Sequence, residues 1–406
     1  MQVLYLEWNS YGNTFMQRAF AENGIQVVVL PLDRKKESTR HSEALAEKLV
    51  LAITRGKYDF VFSFQYFPVA AMACKACRVK YVSWVYDSPC IQMFSKTIDF
   101  ETNEVFVFDQ EAVWELKTAY QKSMQLELSE EEIGQLLPHV HYLPMAADTV
   151  YYDTFHANQS FAADIAFVGS TYQEPRQYMF HYLEKLDDYT KGFLQGAMEM
   201  QKKVYGVKML ETILHEDILQ NMQKVCPVEA HGDGIEDVKW SFANYFLYRK
   251  ITAMERQELL TQLAESYQVK LYTYEQTPQL KHVINCGPVD YYDTAPEVYK
   301  SSKINLNITL RSIGSGIPLR AFDIMGCGGF LMTNYQEDFL QFFEPDKDYV
   351  YYENPEDLNE KAAYYLSHDT EREQIARHGY EKVRAEHTYK VRVQQMLSVI
   401  FTSQEE

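Results

Sequence analysis

"KINLNITLRSIGSGIPLRAFDIMGCGG", residues 303–329, changes periodicity midway. Ile304, Leu306, Ile308 and Leu310 alternate with Asn305, Asn307, Thr309 and Arg311, the two-residue period of a strand, which puts Arg311 at the strand's C-terminal end. A small-residue turn follows. Gly314 and Gly316 on either side of Ser315 leave no Cβ in the way of a ligand approaching the backbone. Pro318 suits a first helical turn, after which Leu319, Phe322 and Met325 face a core and Arg320 and Asp323 share the opposite side. Strand, tight turn and helix make the repeating unit of a doubly wound α/β sheet, in which ligands bind at the C-terminal ends of the strands.

The rest of the chain repeats that alternation twice. Short runs rich in Val, Tyr and Phe recur at 3–6, 25–32, 58–64, 80–86, 104–108 and 140–145, with helical periodicity in "GNTFMQRAFAENG" and "SEALAEKLVLAITRGK" between them. A second set runs through 163–170, 269–274, 282–287, 303–310, 329–334 and 349–352. Strands alternating with helices imply parallel sheets covered on both faces. The expected division is therefore residues 1–150, a second domain of 151–386, and a terminal segment of 387–406. Residues 175–265 show almost no strand signal and are expected to form a helical insertion in the second domain. The tail reads as two helices divided near Gly379 to His387, the last with spare apolar residues Val391, Val393, Met396, Val399 and Ile400.

At 406 residues the chain exceeds what one core usually supports. A formal net charge of −18 and the lack of a basic patch argue against nucleic-acid partners. No run approaches the roughly 20 apolar residues that cross a bilayer, and a cytoplasmic location is expected. The six cysteines contain one CxxC, Cys74 and Cys77, with no second pair or nearby histidines to complete a metal site; reduced core thiols are expected.

Two chemical readings fit the turn at 311–323. In one, Arg311, Arg320 and a helix N-terminus bind a diphosphate while Asp323, one turn deeper, accepts hydrogen bonds from ribose hydroxyls. In the other, Arg320 and Asp323 are a surface pair and Arg311 caps a carbonyl.

Residues 301–334 resemble the nucleotide-sugar half of GT-B glycosyltransferases, in particular the spore maturation CgeB-like group with its "LN...R...G...R.FE...CGG" pattern. "FVGSTY" (167–172) resembles the strand and loop that open that half, "HYLPMAADTVYY" (141–152) its interdomain linker, "REQIARHGYEKVRAEHTYKVR" its closing helices, and "SWVYDSP" (83–89) a stretch of the first half. The resemblance implies two Rossmann-like domains facing across a cleft, an acceptor-side domain over 1–150 and a nucleotide-sugar domain over 151–386, with the final helix crossing back to the first. It implies that Arg311, Arg320 and the amides near Gly316 contact the diphosphate, that Gly169 and Ser170 line its other side, and that Asp323 holds the ribose. Ser315 stands where many retaining members carry the first glutamate of an E, seven residues, E motif, so the stereochemical outcome stays open.

A base is expected from the first domain. Glu7, Asp87 and Asp109 each follow a strand. Asp109 begins "DQEAVWEL" and suits helix capping; Asp87, in "WVYDSP", is the candidate for catalysis or acceptor orientation. The function expected is transfer of a sugar from a nucleoside diphosphate sugar to an unidentified protein, glycan or small-molecule acceptor, with no metal and no cofactor. A nucleotide-sugar epimerase and a non-catalytic nucleotide-sugar or surface- or spore-associated binding protein are the alternatives.

Overall fold

The computed structural model describes residues 1–35, 37–173 and 179–402. They form two compact units. Unit 1 comprises Met1–Ala146, Ala230–Asp237 and the chain from His387 onward, and unit 2 comprises Ala147–Glu229 and Val238–Glu386. Residues 175–178, where the helical insertion is expected to begin, lie outside the described residues.

Unit 1 is built on six parallel strands, β1 (Gln2–Glu7), β2 (Gln26–Pro31), β3 (Phe60–Phe64), β4 (Lys80–Val85), β5 (Asn103–Val107) and β6 (Val140–Tyr142), ordered β2-β1-β3-β4-β5-β6. β3 and β5 are buried along their whole length, which is why Phe60–Phe62 and Val105–Val107 are consecutive apolar residues instead of alternating ones. Helices α1 (Asn13–Glu22), α2 (Glu43–Arg55), α3 (Pro68–Cys77) and α4 (Gln110–Ser123) connect them. Ser42 caps α2 through Leu45 N–H, and Asp109 caps α4 through Glu111 N–H. The last helix, Tyr389–Thr402, lies on α1, where Val393, Met396 and Ile400 are buried. Each such aliphatic side chain contributes about 1.5–3 kcal/mol of burial. Part of the expected insertion also counts with unit 1. There Arg40 meets Asp233 at 3.0 Å, and the Ser95 hydroxyl donates to the same carboxylate at 2.6 Å.

Unit 2 has β7 (Ala163–Val168), β8 (Val269–Tyr272), β9 (Ile284–Asn285), β10 (Ser302–Asn307), β11 (Leu331–Asn334) and β12 (Val350–Tyr352), ordered β12-β11-β10-β7-β8-β9 and parallel throughout. Counted within the unit this is the order 3-2-1-4-5-6 of dinucleotide-binding sheets, whose ligand-binding crevice opens where the connections reverse, here between β7 and β10. Its core joins Ile165 and Phe167 of β7 and Ile304 and Leu306 of β10 to Leu259 and Leu263 of a long helix. The helices that matter to the site are α5 (Asp188–Lys202), α6 (Tyr248–Ala264), α7 (Leu319–Gly326) and α8 (Asp369–Glu386).

Within the expected insertion, residues 210–225 form two helices: Leu214 adopts an extended backbone between them, although Leu210, Leu214, Ile218 and Met222 share a buried side. The break expected in the tail near Gly379 to His387 falls at the far end of that window, since α8 runs through Gly379 to Glu386. A Cβ at 379 would sit 2.4 Å from the Asp348 carbonyl oxygen, so this glycine is required by close packing.

Candidate functional site

Gly169 directly follows β7 with φ +154°, and a Cβ there would lie 2.7 Å from Nη2 of Arg320. Arg320 stands in the first turn of α7. Its Nη1 donates to Asn307 Oδ1 at 2.8 Å, which fixes the guanidinium over the end of β10, 5.0 Å from the Phe167 ring centroid. A second guanidinium approaches the same ring: Arg256, from α6, lies 5.1 Å from Phe167 and 4.9 Å from Tyr172.

Arg256 spans the crevice at its floor, donating from Nη1 to the Ser170 carbonyl at the end of β7 and from Nη2 to the Ile308 carbonyl at the end of β10. It is 2% exposed and its Nε has no partner among the described residues. Burial pulls it down to about 10, and the charge of Arg320 acts in the same direction. Neither arginine forms an ion pair among the described residues. Two guanidiniums that repel each other at a strand edge favour an anion between or beside them.

Arg311 requires a correction. The strand ends at Asn307, so Arg311 lies beyond β10 and its side chain turns to α6. Nε and Nη2 grip the two oxygens of Glu255 at 2.6 Å each, Nη1 donates to the Val204 carbonyl and Nη2 to that of Lys202, and the guanidinium rests 3.8 Å from the Tyr205 ring centroid. Burial alone would lower its pKa, but Glu255 more than offsets that and holds it above the ordinary arginine range. A guanidinium so committed braces the fold, its donors taken up by Glu255 and two backbone carbonyls.

Asp323 is 2% exposed and accepts the Tyr152 hydroxyl at 2.6 Å and the Tyr291 hydroxyl at 3.2 Å on the same oxygen. Burial pushes it up to about 7, against the lowering effect of the two hydroxyls and of Arg320. Ser315 and Gly316 are buried in the turn before α7, where the Ser315 carbonyl accepts Asp338 N–H at 3.0 Å and that of Gly316 accepts the Gln336 side chain at 3.1 Å. The Ser170 hydroxyl donates to Glu275, so Ser170 faces the crevice with backbone only. Gly169, Arg320 and Asp323 are thus brought to one strand edge, with Arg256 added and Arg311 withdrawn.

In unit 1, Asp87 follows β4 at the C-terminal edge of the sheet, exposed, just before the cis Ser88–Pro89 bond. Its N–H reaches Gln65 Oε1 at 3.5 Å. The two histidines near β6 have structural partners: His139 bonds the Ile98 carbonyl at 2.6 Å and His141 the Glu104 carboxylate at 2.9 Å. All six cysteines are free, and no helix among the described residues is long and apolar enough to cross a membrane.

Sequence reasoning missed Arg256 and Glu255. The signal was present: Thr252, Arg256, Leu259 and Leu263 fall on the buried stripe of α6, and a charge there needs a partner or a purpose.

Residues 250–398 match a family model described as glycosyl transferase-like. No curated protein matches the sequence. Among solved structures, the chain is similar to sucrose-phosphate synthase from Thermosynechococcus elongatus, at 10% identity and TM-score 0.54 with 100% of both chains covered. It is also similar to Anabaena Alr3699/HepE in complex with UDP-glucose, at 10% identity and TM-score 0.55 with 99% of this chain and 100% of that one covered. A third likeness is to an α,α-trehalose-phosphate synthase (UDP-forming) from Burkholderia vietnamiensis, at 10% identity and TM-score 0.50 over 99% of each chain. The chain therefore has the GT-B fold, and its residues 250–398 are similar to a glycosyl transferase-like family.

Proposed function

We propose that the protein is a glycosyltransferase that takes a sugar from a nucleoside diphosphate sugar held by unit 2 and delivers it to an acceptor held by unit 1. The observation that carries the reading is the pair of guanidiniums, Arg320 and Arg256, on Phe167 at the switch point, neither in an ion pair among the described residues. Charge develops on the leaving diphosphate as the glycosidic bond breaks, and preorganised cations beside it lower that barrier without a metal ion. Asp323 on α7 takes the ribose hydroxyls, and Gly169 admits the phosphates close to the backbone. The turn amides near Gly316 and the N-terminus of α7 add donors.

Asp87 is the proposed base, or the group that orients the acceptor hydroxyl. The subgroup reading, that of the CgeB-like proteins, rests on the residues of 301–334 that follow its pattern. The absence of nucleic-acid partners remains part of the proposal, on the charge of −18, and so does a cytoplasmic location.

The test is release of nucleoside diphosphate from a panel of nucleoside diphosphate sugars. At least one donor is expected to turn over, if only by slow hydrolysis. Asp87→Asn is expected to cut that rate about 100-fold with little change in donor KM. No release from any donor would contradict the reading.

A further inference from the structure

Glu275 lies just beyond β8 and reaches under the loop that leaves β7. Its Oε1 accepts the Ser170 hydroxyl and the N–H groups of Thr171 at 2.8 Å and Tyr172 at 3.1 Å. Its Oε2 accepts the Thr171 hydroxyl and the N–H of Gln173 at 3.2 Å. Three consecutive N–H groups converging on one anion make the concavity that backbone uses to bind phosphates and carboxylates. Here the anion is the protein's own side chain, 5% exposed. The loop can close round it because Tyr172 takes the left-handed region at φ +56°. Glu275 is itself anchored: its carbonyl accepts Asn285 Nδ2 at 2.8 Å, which ties the exit of β8 to β9.

The same loop is held from its other side. Arg256 grips the Ser170 carbonyl, and Gly169 packs against Arg320. A short loop with two residues at positive φ does not keep one shape unaided, since every residue fixed loses backbone entropy. The five bonds to the carboxylate are charge-assisted and supply the restraint.

We propose that Glu275 is a positioning residue for the donor's diphosphate: it locks residues 169–173 so that Gly169 and the Arg320 guanidinium form one rigid edge of the anion site. The proposal rests on the reading of unit 2 as the nucleoside diphosphate domain. Glu275 touches no phosphate itself, and all of its acceptor capacity faces the loop.

The test compares Glu275→Gln and Thr171→Val with the wild type in calorimetric titrations. The probes are UDP, GDP, ADP and TDP, together with the nucleoside of whichever diphosphate binds best. Glu275→Gln keeps the shape but turns an amide NH2 toward N–H donors, and is expected to weaken the diphosphate about tenfold while leaving the nucleoside unchanged. Thr171→Val removes one of the five donors and is expected to weaken the diphosphate about threefold. If Glu275→Gln does not fold, Thr171→Val decides by the same criterion. Wild-type protein that binds no diphosphate would remove the reading of unit 2. Wild-type binding with unchanged affinity in the variants would overturn the positioning role alone. Equal losses for nucleoside and diphosphate would overturn it as well, because they would mark a merely structural contact.

Discussion

Arg311 and Glu255 are joined by two hydrogen bonds of 2.6 Å inside unit 2, each side chain less than a tenth exposed. Breaking a buried pair by removing one partner leaves an unpaired charge, and Arg311→Met is expected to cost about 3–5 kcal/mol of unit 2 stability. Converting Glu255→Met in the same chain should recover much of that, because the orphaned carboxylate goes too. Diphosphate affinity, measured where the variant is folded, should stay at the wild-type value. A loss of affinity with stability unchanged would return Arg311 to the ligand.

The raised Asp323 gives a dependence on pH. The native state keeps a proton on this carboxyl up to about 7, whereas the unfolded chain releases it near its ordinary value of 3.8. Stability from this group is therefore complete at acid pH, declines as pH rises through that window and levels off above 7, with an amplitude on the order of 4 kcal/mol. Denaturation midpoints measured from pH 4.5 to 8 should show the decline, and Asp323→Asn should flatten it. An unchanged slope in the variant would mean that another group is responsible.

Gly169→Ala tests how close the loop stands to Arg320. A Cβ would meet Nη2 at 2.7 Å, so the guanidinium must swing away from Asn307. Weaker diphosphate binding is expected, by about tenfold, the worth of one charge-assisted hydrogen bond. Wild-type affinity would show that the contact is not used.

The sheets were legible because β3 stands out as a nearly unbroken apolar run and β10 as a strict alternation of Ile304 and Leu306 with Asn305 and Asn307. "HVINCG" yielded only the two exposed residues of β9, at the edge of the sheet. The order strand, turn and helix from 302 to 326 is the one the periodicities give, but the strand stops at Asn307, short of the alternation that runs on to Arg311. What the sequence could not show is which carboxylate each arginine meets. Glu255 stands 56 positions before Arg311, and only folding reveals that it neutralises that arginine and leaves Arg256, its neighbour on α6, without an ion pair among the described residues. Glu275 was hidden for the same reason, since its five donors come from a loop about 100 residues upstream.

The central claim is that Arg320 is held in place for a diphosphate. Calorimetric titration of wild-type protein and Arg320→Ala with UDP, GDP, ADP and TDP addresses it most directly, with melting curves recorded alongside. The account predicts that at least one diphosphate binds the wild type and that the variant, folded and equally stable, binds it about tenfold or more weakly. Equal affinity in the two proteins would contradict it.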